Sequence, residues 1–503
     1  MVINEFLTAL LAILGSPQAV MLVLIAVALG IILGAVPGIS TTMAIAVLLP
    51  ITFGMEMEMA ILFLLGVFIA SVYGGSISAI LINIPGTPAA MVTQLDGYPM
   101  AQRGQGGQAL KLALYASTVG GLFGILLLIG VSPLMAAAAN MMQSAEFAAI
   151  AILGLVMLAF ASSTSPVRGV MVGLIGILCG MVGFDTMTDI PRFDYSVPAL
   201  QGGVDVVAMM LGIFGLAEVM KNLSGASNPD FQRPVIGNAV LSLASIFKRW
   251  GSMLRGSVIG AIIGCVPAVG SAIAVSVAYA QEVRLARDKS AFGSGEPRGV
   301  VAPEAANSSS IGGSLVPMMT LGIPGDTITA VLMGALLMHG LRPGPLLYVN
   351  NPEFFASVYA ALFIGVMATL VVGLLLVRAV VRIMGIPPRI LLVAIAVLCV
   401  VGAFAIRNSI SDIYVMIFFG CVGYLLHLLR LPAAPLAFGL ILGPILEENL
   451  GRALLLSRGA WSVFLDRPIF LAILVLTLVV LLLPVLSGLW RRLKRPQLAG
   501  AAE

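Results

Sequence analysis

Tyr73-Gly-Gly-Ser-Ile-Ser-Ala-Ile-Leu-Ile-Asn-Ile-Pro-Gly-Thr87 is the stretch on which the fold turns. It lies in a run of 37 residues, between Glu58 and Asp96, that contains neither acid nor base. An α-helix crosses hydrocarbon in about 20 residues, so the run is long enough for a membrane helix, yet Ile84-Pro-Gly86 interrupts it. Proline removes a backbone donor and clashes with the preceding turn, and glycine adds backbone freedom. A helix opened there exposes N–H and C=O groups that, inside hydrocarbon, need protein, water or a ligand as partners.

The stretch occurs twice. Ile311-Gly-Gly-Ser-Leu-Val-Pro-Met-Met-Thr-Leu-Gly-Ile-Pro-Gly-Asp326 repeats Gly-Gly-Ser at an offset of 238 and Ile-Pro-Gly at 239, which reads as one inserted residue between the copies. Each copy has an earlier companion: Gly34-Ala-Val-Pro-Gly-Ile-Ser40 before the first and Gly264-Cys-Val-Pro-Ala-Val-Gly270 before the second. Matched Gly/Pro interruptions in two halves of a membrane chain point to the binding site of a secondary transporter. The helix N-terminus after each break suits a carboxylate, and the carbonyls before it suit a cation. The competing reading is that Pro and Gly merely kink packed helices, but four interruptions in two ordered pairs weigh against it.

Polar side chains gather at these places. In the first half, Ser76, Asn83, Pro85, Gly86 and Thr87 form the expected substrate-binding set; Ser314, Pro324, Gly325 and Thr327 are their partners in the second half. Ser40, Thr41, Ser271, Asn307 and Asp326 form the expected ion-coupling set. Hydroxyls and amides can coordinate a cation or bond a carboxylate without bringing a permanent charge into the membrane. Their ordinary role is to glue helices together, as that of Gly74, Gly75, Gly312 and Gly313 is to let helices approach. Asp326 follows the second break directly; it is a Na⁺ ligand, a proton carrier or a helix N-cap, and these roles are compatible. Glu304 reads as a carboxylate near a helix start, favoured by the dipole, and Asp96-Gly-Tyr-Pro99 as a surface turn. His339 reads as interfacial and His427 as a packed core residue.

Composition agrees with a lipid-solvated chain. The 503 residues include 26 Lys plus Arg and 22 Asp plus Glu, 10% charged against 60% hydrophobic. Soluble domains are about 25% charged, and so few charges cannot coat a globule of this size. Mean hydropathy is +1.11. Continuous apolar runs, rather than period-two alternation, exclude a β-barrel, and the charge-free segments amount to roughly 10–13 crossings. A net charge of +4 does not suggest nucleic acid. The four cysteines, dispersed in apolar or Gly-rich sequence, read as buried small hydrophobes rather than disulfides or metal ligands. No catalytic triad, zinc motif or phosphate loop is present, so the chain reads as a non-enzyme without cofactor or structural metal. Met1–Glu5 has no basic n-region, so no cleaved leader is expected.

Orientation rests on basic residues. Arg491, Arg492, Lys494 and Arg495 place the C-terminus in the cytoplasm. Basic segments also flank the single apolar run Gly256–Gln281, which is interrupted at Pro267–Gly270. Either the run turns back there as a re-entrant hairpin, or it crosses once and one loop departs from the rule.

At Gly34-Ala-Val-Pro-Gly38, Tyr73–Thr87, Asp96-Gly-Tyr-Pro99, Ala302-Pro-Glu-Ala-Ala-Asn307, Gly313-Ser-Leu-Val-Pro317, Leu321-Gly-Ile-Pro-Gly325 and His339-Gly-Leu-Arg-Pro-Gly-Pro345, the chain resembles the large membrane subunit (TctA type) of the tripartite tricarboxylate transporters. The resemblance implies a gradient-driven importer of organic acids in the bacterial inner membrane, coupled to Na⁺ or H⁺. It would work with a small membrane subunit of the TctB type and a periplasmic solute-binding protein of the TctC type. Ser308 stands where the family pattern suggests an amide, and Asp326 where the family varies; an acid beside the substrate disfavours a trivalent anion. The expected fold is an all-α polytopic integral membrane protein with two homologous halves and discontinuous or re-entrant helices. Residues 1–220 would form the first half, 221–254 a basic cytoplasmic linker and 255–503 the second half. A channel or pore subunit is the alternative function, and assembly into a homo-oligomer is left open.

Overall fold

The computed structural model describes residues 2–161, 166–185, 187–224, 242–267, 269–383 and 388–493. The chain opens with α1 (Val2–Gly15), α2 (Pro17–Ala35), α3 (Thr41–Leu48) and α4 (Met57–Ile82). Next come α5 (Ala90–Met100), α6 (Gly106–Asn140), α7 (Ser144–Ala161) and α8 (Pro166–Gly180). A short antiparallel hairpin pairs Gly183 with Arg192 and Phe184 with Pro191, and α9 (Val206–Ser224) follows. Then come α10 (Trp250–Gly264), α11 (Gly270–Leu285), α12 (Arg298–Leu321) and α13 (Thr327–Met338). The last helices are α14 (Pro352–Ile383), α15 (Pro388–Arg407), α16 (Ile410–Leu428), α17 (Ala434–Leu456) and α18 (Pro468–Leu493).

This is the architecture of an all-α polytopic membrane protein. Among the described residues, seven helical segments are long and apolar enough to span a bilayer, and further apolar helices are shorter. Large apolar side chains are exposed along the outer helices, Leu126 and Phe418 among them, as surface facing lipid requires.

Two long helices are enclosed by protein over nearly their whole length, as is the short α3. Every residue from Ala60 to Leu81 on α4 is buried, and so is every residue from Gly299 to Thr320 on α12. The two stretches are offset by 239 throughout. Helix α12 carries Asn307-Ser-Ser-Ser310 and is too polar to face lipid, so a protein sheath is its only stable setting. Around these two helices the packing partners exchange. Helix α2 lies on α4 as α10 lies on α12; α6 crosses to α12 and α10, while α14 crosses to α4 and α2.

The run Gly256–Gln281 does turn back. Arg255 Nε donates to Glu282 Oε1 at 2.8 Å and Ser252 Oγ to Glu282 Oε2 at 2.9 Å, joining the start of α10 to the end of α11. Gly270, at φ +72°, makes the reversal. Both flanks therefore lie at one end, which removes the conflict between two basic loops and a single crossing. Residues 225–241, 494–503 and Ala268 lie outside the described residues; with them lie most of the basic linker, including Arg233, and Lys494 and Arg495 of the tail.

Candidate functional site

The two Ile-Pro-Gly segments end and restart their helices by the same device. Helix α4 stops at Asn83 (φ 60°) and α12 at Gly322 (φ 71°), both left-handed and 239 apart. Gly322 N–H donates to Met318 O at 3.2 Å, the 5→1 bond of an αL cap, and Ile323 N–H donates to Pro317 O at 3.3 Å. Proline comes two residues later, at Pro85 and Pro324, where the chain has already left the helix. The next helix is then capped from Thr87 in one copy and Asp326 in the other, again 239 apart. Ala90 N–H donates to Thr87 Oγ1 at 3.3 Å, and Thr329 N–H to Asp326 Oδ1 at 2.8 Å. Asp326 N–H donates in return to Thr329 Oγ1 at 2.8 Å, completing a capping box.

The companion helices pack in register as well. Gly30 and Gly34 of α2 abut Val67, Ala70 and Ser71; Gly260 and Gly264 of α10 abut Ala306, Ser309 and Ser310. Offsets of 230 on one side and 239 on the other carry each contact onto its counterpart. This corrects the sequence alignment, in which Gly-Gly-Ser repeats at 238 with an insertion. In the packed structure Gly74 matches Gly313 and Gly75 matches Ser314, because small residues facing the neighbouring helix, not identical triplets, fix the register. Ser76 then matches Leu315, so its hydroxyl belongs to one half alone.

The breaks themselves meet other breaks. Gly86 lies against the Gly34 carbonyl, where a side chain would overlap it, and Gly86 N–H donates to Gly75 O at 3.2 Å. Gly325 lies against Ser314 in the same manner. Residues 36–40, between α2 and α3, form the tip of the first repeat's hairpin, and just past it Thr42 Oγ1 lies 3.2 Å from Thr327 Oγ1, joining this tip to the second Ile-Pro-Gly segment. Helix α3 thus packs on α13, and α11 on α5: each half's hairpin faces the other half's break. Asn222 Nδ2 donates to Gly38 O at 3.1 Å and fixes the first tip from α9.

The expected site residues are distributed as follows. Thr41, Ser76, Gly86, Thr87, Asn307, Ser314, Pro324 and Gly325 are buried, while Ser40, Pro85, Ser271, Asp326 and Thr327 are half-buried. Asn83 is exposed, and its carbonyl and side-chain oxygens take bonds from Gln94 Nε2 at 3.0 and 2.6 Å. Ser40 Oγ caps α3 through Met43 N–H at 3.2 Å, and Ser314 Oγ donates to Ile311 O at 3.1 Å. Among the described residues nothing bonds Thr41 Oγ1 or Asn307 Nδ2, although each residue is only 2% exposed. A buried polar atom left so costs about 1–3 kcal/mol, which a ligand would recover.

Several sequence readings are corrected. Glu304 is not at a helix start: α12 begins at Arg298, and Glu304 lies inside it, fully buried. Its oxygens accept from Ser76 Oγ (2.6 Å), Thr93 Oγ1 (2.5 Å) and Ser117 Oγ (3.1 Å). Asp96 is not in a surface turn but inside α5 with no exposure, accepting from Gly295 and Glu296 N–H, both at 2.8 Å, and from Tyr279 OH at 2.9 Å. His427 is exposed in the last turn of α16 rather than packed in the core. His339 is half-buried at the end of α13. Of the cysteines, Cys399 is buried, Cys179 and Cys265 are half-buried and Cys421 is exposed; all four are free.

The family model described as "Tripartite tricarboxylate transporter TctA family" matches residues 20–438, a range that includes all four breaks and Glu304. An Agrobacterium vitis protein described as an uncharacterized 52.8 kDa protein in the TAR-I ttuC' 3' region is 35% identical over 472 residues, covering 93% of this chain and 94% of its own. A second from the same organism, an uncharacterized protein in the TAR-II ttuC' 3' region, is 36% identical over 238 residues, 47% of this chain and 98% of its own. No solved structure matches the chain.

Proposed function

The chain belongs to the tripartite tricarboxylate transporter TctA family, and from that premise we propose that it is the large permease subunit importing an organic acid across the bacterial inner membrane, driven by a Na⁺ or H⁺ gradient. As a family member it is one component of a transporter with other subunits. The other two would be a small TctB-like membrane protein and a periplasmic TctC-like binding protein that delivers substrate. The carrying observation is the pair of capped helix breaks, one per repeat, each leading into a helix that packs on the hairpin of the other repeat, with Thr42 and Thr327 in contact across one of them.

Two halves, residues 1–220 and 255–503, would hold one anion site at these breaks. Helix N-termini attract the carboxylates of the substrate. Ser76, Asn83, Pro85, Gly86 and Thr87 would contribute from one half, and Ser314, Pro324, Gly325 and Thr327 from the other. Ser40, Thr41, Ser271, Asn307 and Asp326 would serve coupling; the unbonded Thr41 hydroxyl and Asn307 amide support this. Asp326 at the second break disfavours a fully ionised tricarboxylate, so mono- and dicarboxylates are the better fit. The C-terminus would lie in the cytoplasm with the other basic segments.

Reconstitution of the complete three-component system in liposomes tests the reading, with labelled mono-, di- and tricarboxylates supplied on the binding-protein side. The expected result is saturable uptake that stops when the ion gradient is collapsed. Uptake that neither saturates nor needs a gradient would indicate a channel instead.

A further inference from the structure

Glu304 is the acid that the repeat does not explain. Its counterpart 239 residues earlier is Leu65, so packing symmetry gives no reason for a carboxyl there. It is fully buried on α12, and the hydroxyls that bond it all come from helices of the other repeat: Ser76 from α4, Thr93 from α5 and Ser117 from α6. None of the ion pairs among the described residues involves it. Of the ionisable groups on the elements packed around α12, α4 brings the buried phenol of Tyr73, and α5 brings Asp96, committed to Gly295, Glu296 and Tyr279. Helix α6 brings Lys111, which pairs with no acid among the described residues. Helices α10 and α11 bring Arg255 and Glu282, which pair with each other at 2.8 Å, and α13 is capped by Asp326.

The distances identify what holds the cluster together. A cation bound between two oxygens keeps each at its coordination distance, roughly 2.3–2.6 Å for an ion of calcium's size, and so holds the oxygens well apart. Ser76 Oγ and Thr93 Oγ1 stand 2.6 and 2.5 Å from the same carboxyl oxygen. Those are lengths of direct O–H···O bonds, with no room for a metal ion between the partners. An ionised carboxylate here would be a buried charge without a counter-ion, which is strongly unfavourable. A protonated one would be neutral, and serine and threonine hydroxyls can accept its proton as readily as donate their own.

Resting on the reading of this chain as a gradient-driven importer, we propose that Glu304 is its proton-carrying group and that the coupling ion is H⁺. In the closed arrangement described here the carboxyl is neutral and shared between the repeats. Parting of α12 from α4, α5 and α6 removes its hydroxyl partners and admits water, to which the proton is released as hydronium; reclosure requires a proton to be taken up again. Because each bond to Glu304 crosses between the repeats, protonation and conformation are linked by geometry.

Two ligand-free measurements on the full chain in lipid vesicles test this. In infrared difference spectra recorded across pH steps, the wild type is expected to show the C=O stretch of a protonated carboxylic acid. That band should be absent in Glu304→Gln and displaced in Thr93→Val, which keeps the acid but loses one bond. A band unchanged by both substitutions, or a wild type with no protonated acid, would overturn the assignment. In the second measurement, Ser40→Cys at the first hairpin tip is labelled with a thiol reagent after replacement of the native cysteines. Its rate, divided at each pH by that of a small free thiol so that the reagent's own dependence on thiolate cancels, should vary with pH, by at most about tenfold per unit for one proton, and lose that dependence when Glu304→Gln is added. A normalised pH dependence that survives Glu304→Gln, or a pH-independent wild type labelled faster in a Na⁺ gradient, would contradict proton coupling. Failure of the importer reading itself would appear in the uptake assay and leave both signals unaltered.

Discussion

Asp326 and Thr87 occupy equivalent places, and their bonds show what each is for: both accept from the N–H three residues on, at 2.8 and 3.3 Å. An N-cap of this kind is worth about 0.5–2 kcal/mol against alanine, and asparagine replaces aspartate with little loss. Asp326→Ala should therefore lower thermal stability in detergent by about 1 kcal/mol, and Asp326→Asn should leave the melting temperature near wild type. Ion dependence of uptake separates the second role: a coupling function for Asp326 requires that Asp326→Asn, though stable, alter it, and unaltered dependence would restrict the residue to capping. The helix break depends on residues the sequence did not single out. Gly322 at φ 71° would place a Cβ 2.6 Å from Pro343 O, so Gly322→Ala should destabilise the protein by about 1–3 kcal/mol. Pro324→Ala should be much milder, since Pro324 lies beyond the helix end. Equal losses in a chemical-unfolding comparison would return the break to proline. The site was legible in the sequence as far as Pro-Gly punctuation reaches. The interruptions, the hydroxyls of Ser40 and Thr41 beside the first of them, and the dual reading of Asp326 follow from local chemistry. Glu304 was missed because its partners, Ser76, Thr93 and Ser117, lie 187 to 228 residues away in the chain, a proximity created only by packing.

Helix packing in this molecule is a matter of small residues. A Cβ on Gly264 would stand 2.7 Å from Ser310 O, and one on Gly34 would overlap Ser71. With no hydrophobic drive between helices in lipid, close approach is what holds α2 to α4 and α10 to α12. Gly34→Val and Gly264→Val should each prevent that approach and lower the melting temperature clearly. Gly130→Ala on α6, where nothing lies within 4 Å, should be neutral or slightly stabilising. Similar losses at all three positions would mean that these glycines serve flexibility and not contact. The apolar runs made the outer helices readable, but α12 was hard to place: it is polar enough to pass for a loop, and only the sheath around it makes a helix stable there. Basic flanks constrain sides and not paths, so the sequence admits both courses for the run through α10 and α11; the Arg255–Glu282 pair at 2.8 Å settles that the chain returns.

For the molecule as a whole, both ends of that hairpin should face one compartment. Lys248 and Ser290 are exposed at its two ends. With the native cysteines replaced, Lys248→Cys and Ser290→Cys in intact cells should react with an impermeant reagent from the same side; reaction from opposite sides would mean a single crossing. The larger arrangement, two enclosed helices at an offset of 239 with exchanged neighbours, is what makes alternating access mechanically plain. The breaks and Glu304 sit where the repeats meet, so relative movement of the repeats changes what each faces. The most direct measurement is a density map of the protein in a lipid nanodisc. The expected map shows backbone leaving the helix at 83–87 and at 322–326, at matching depths within the hydrocarbon and wrapped by protein. Continuous helices through both segments, or breaks lying out among the headgroups, would contradict the account.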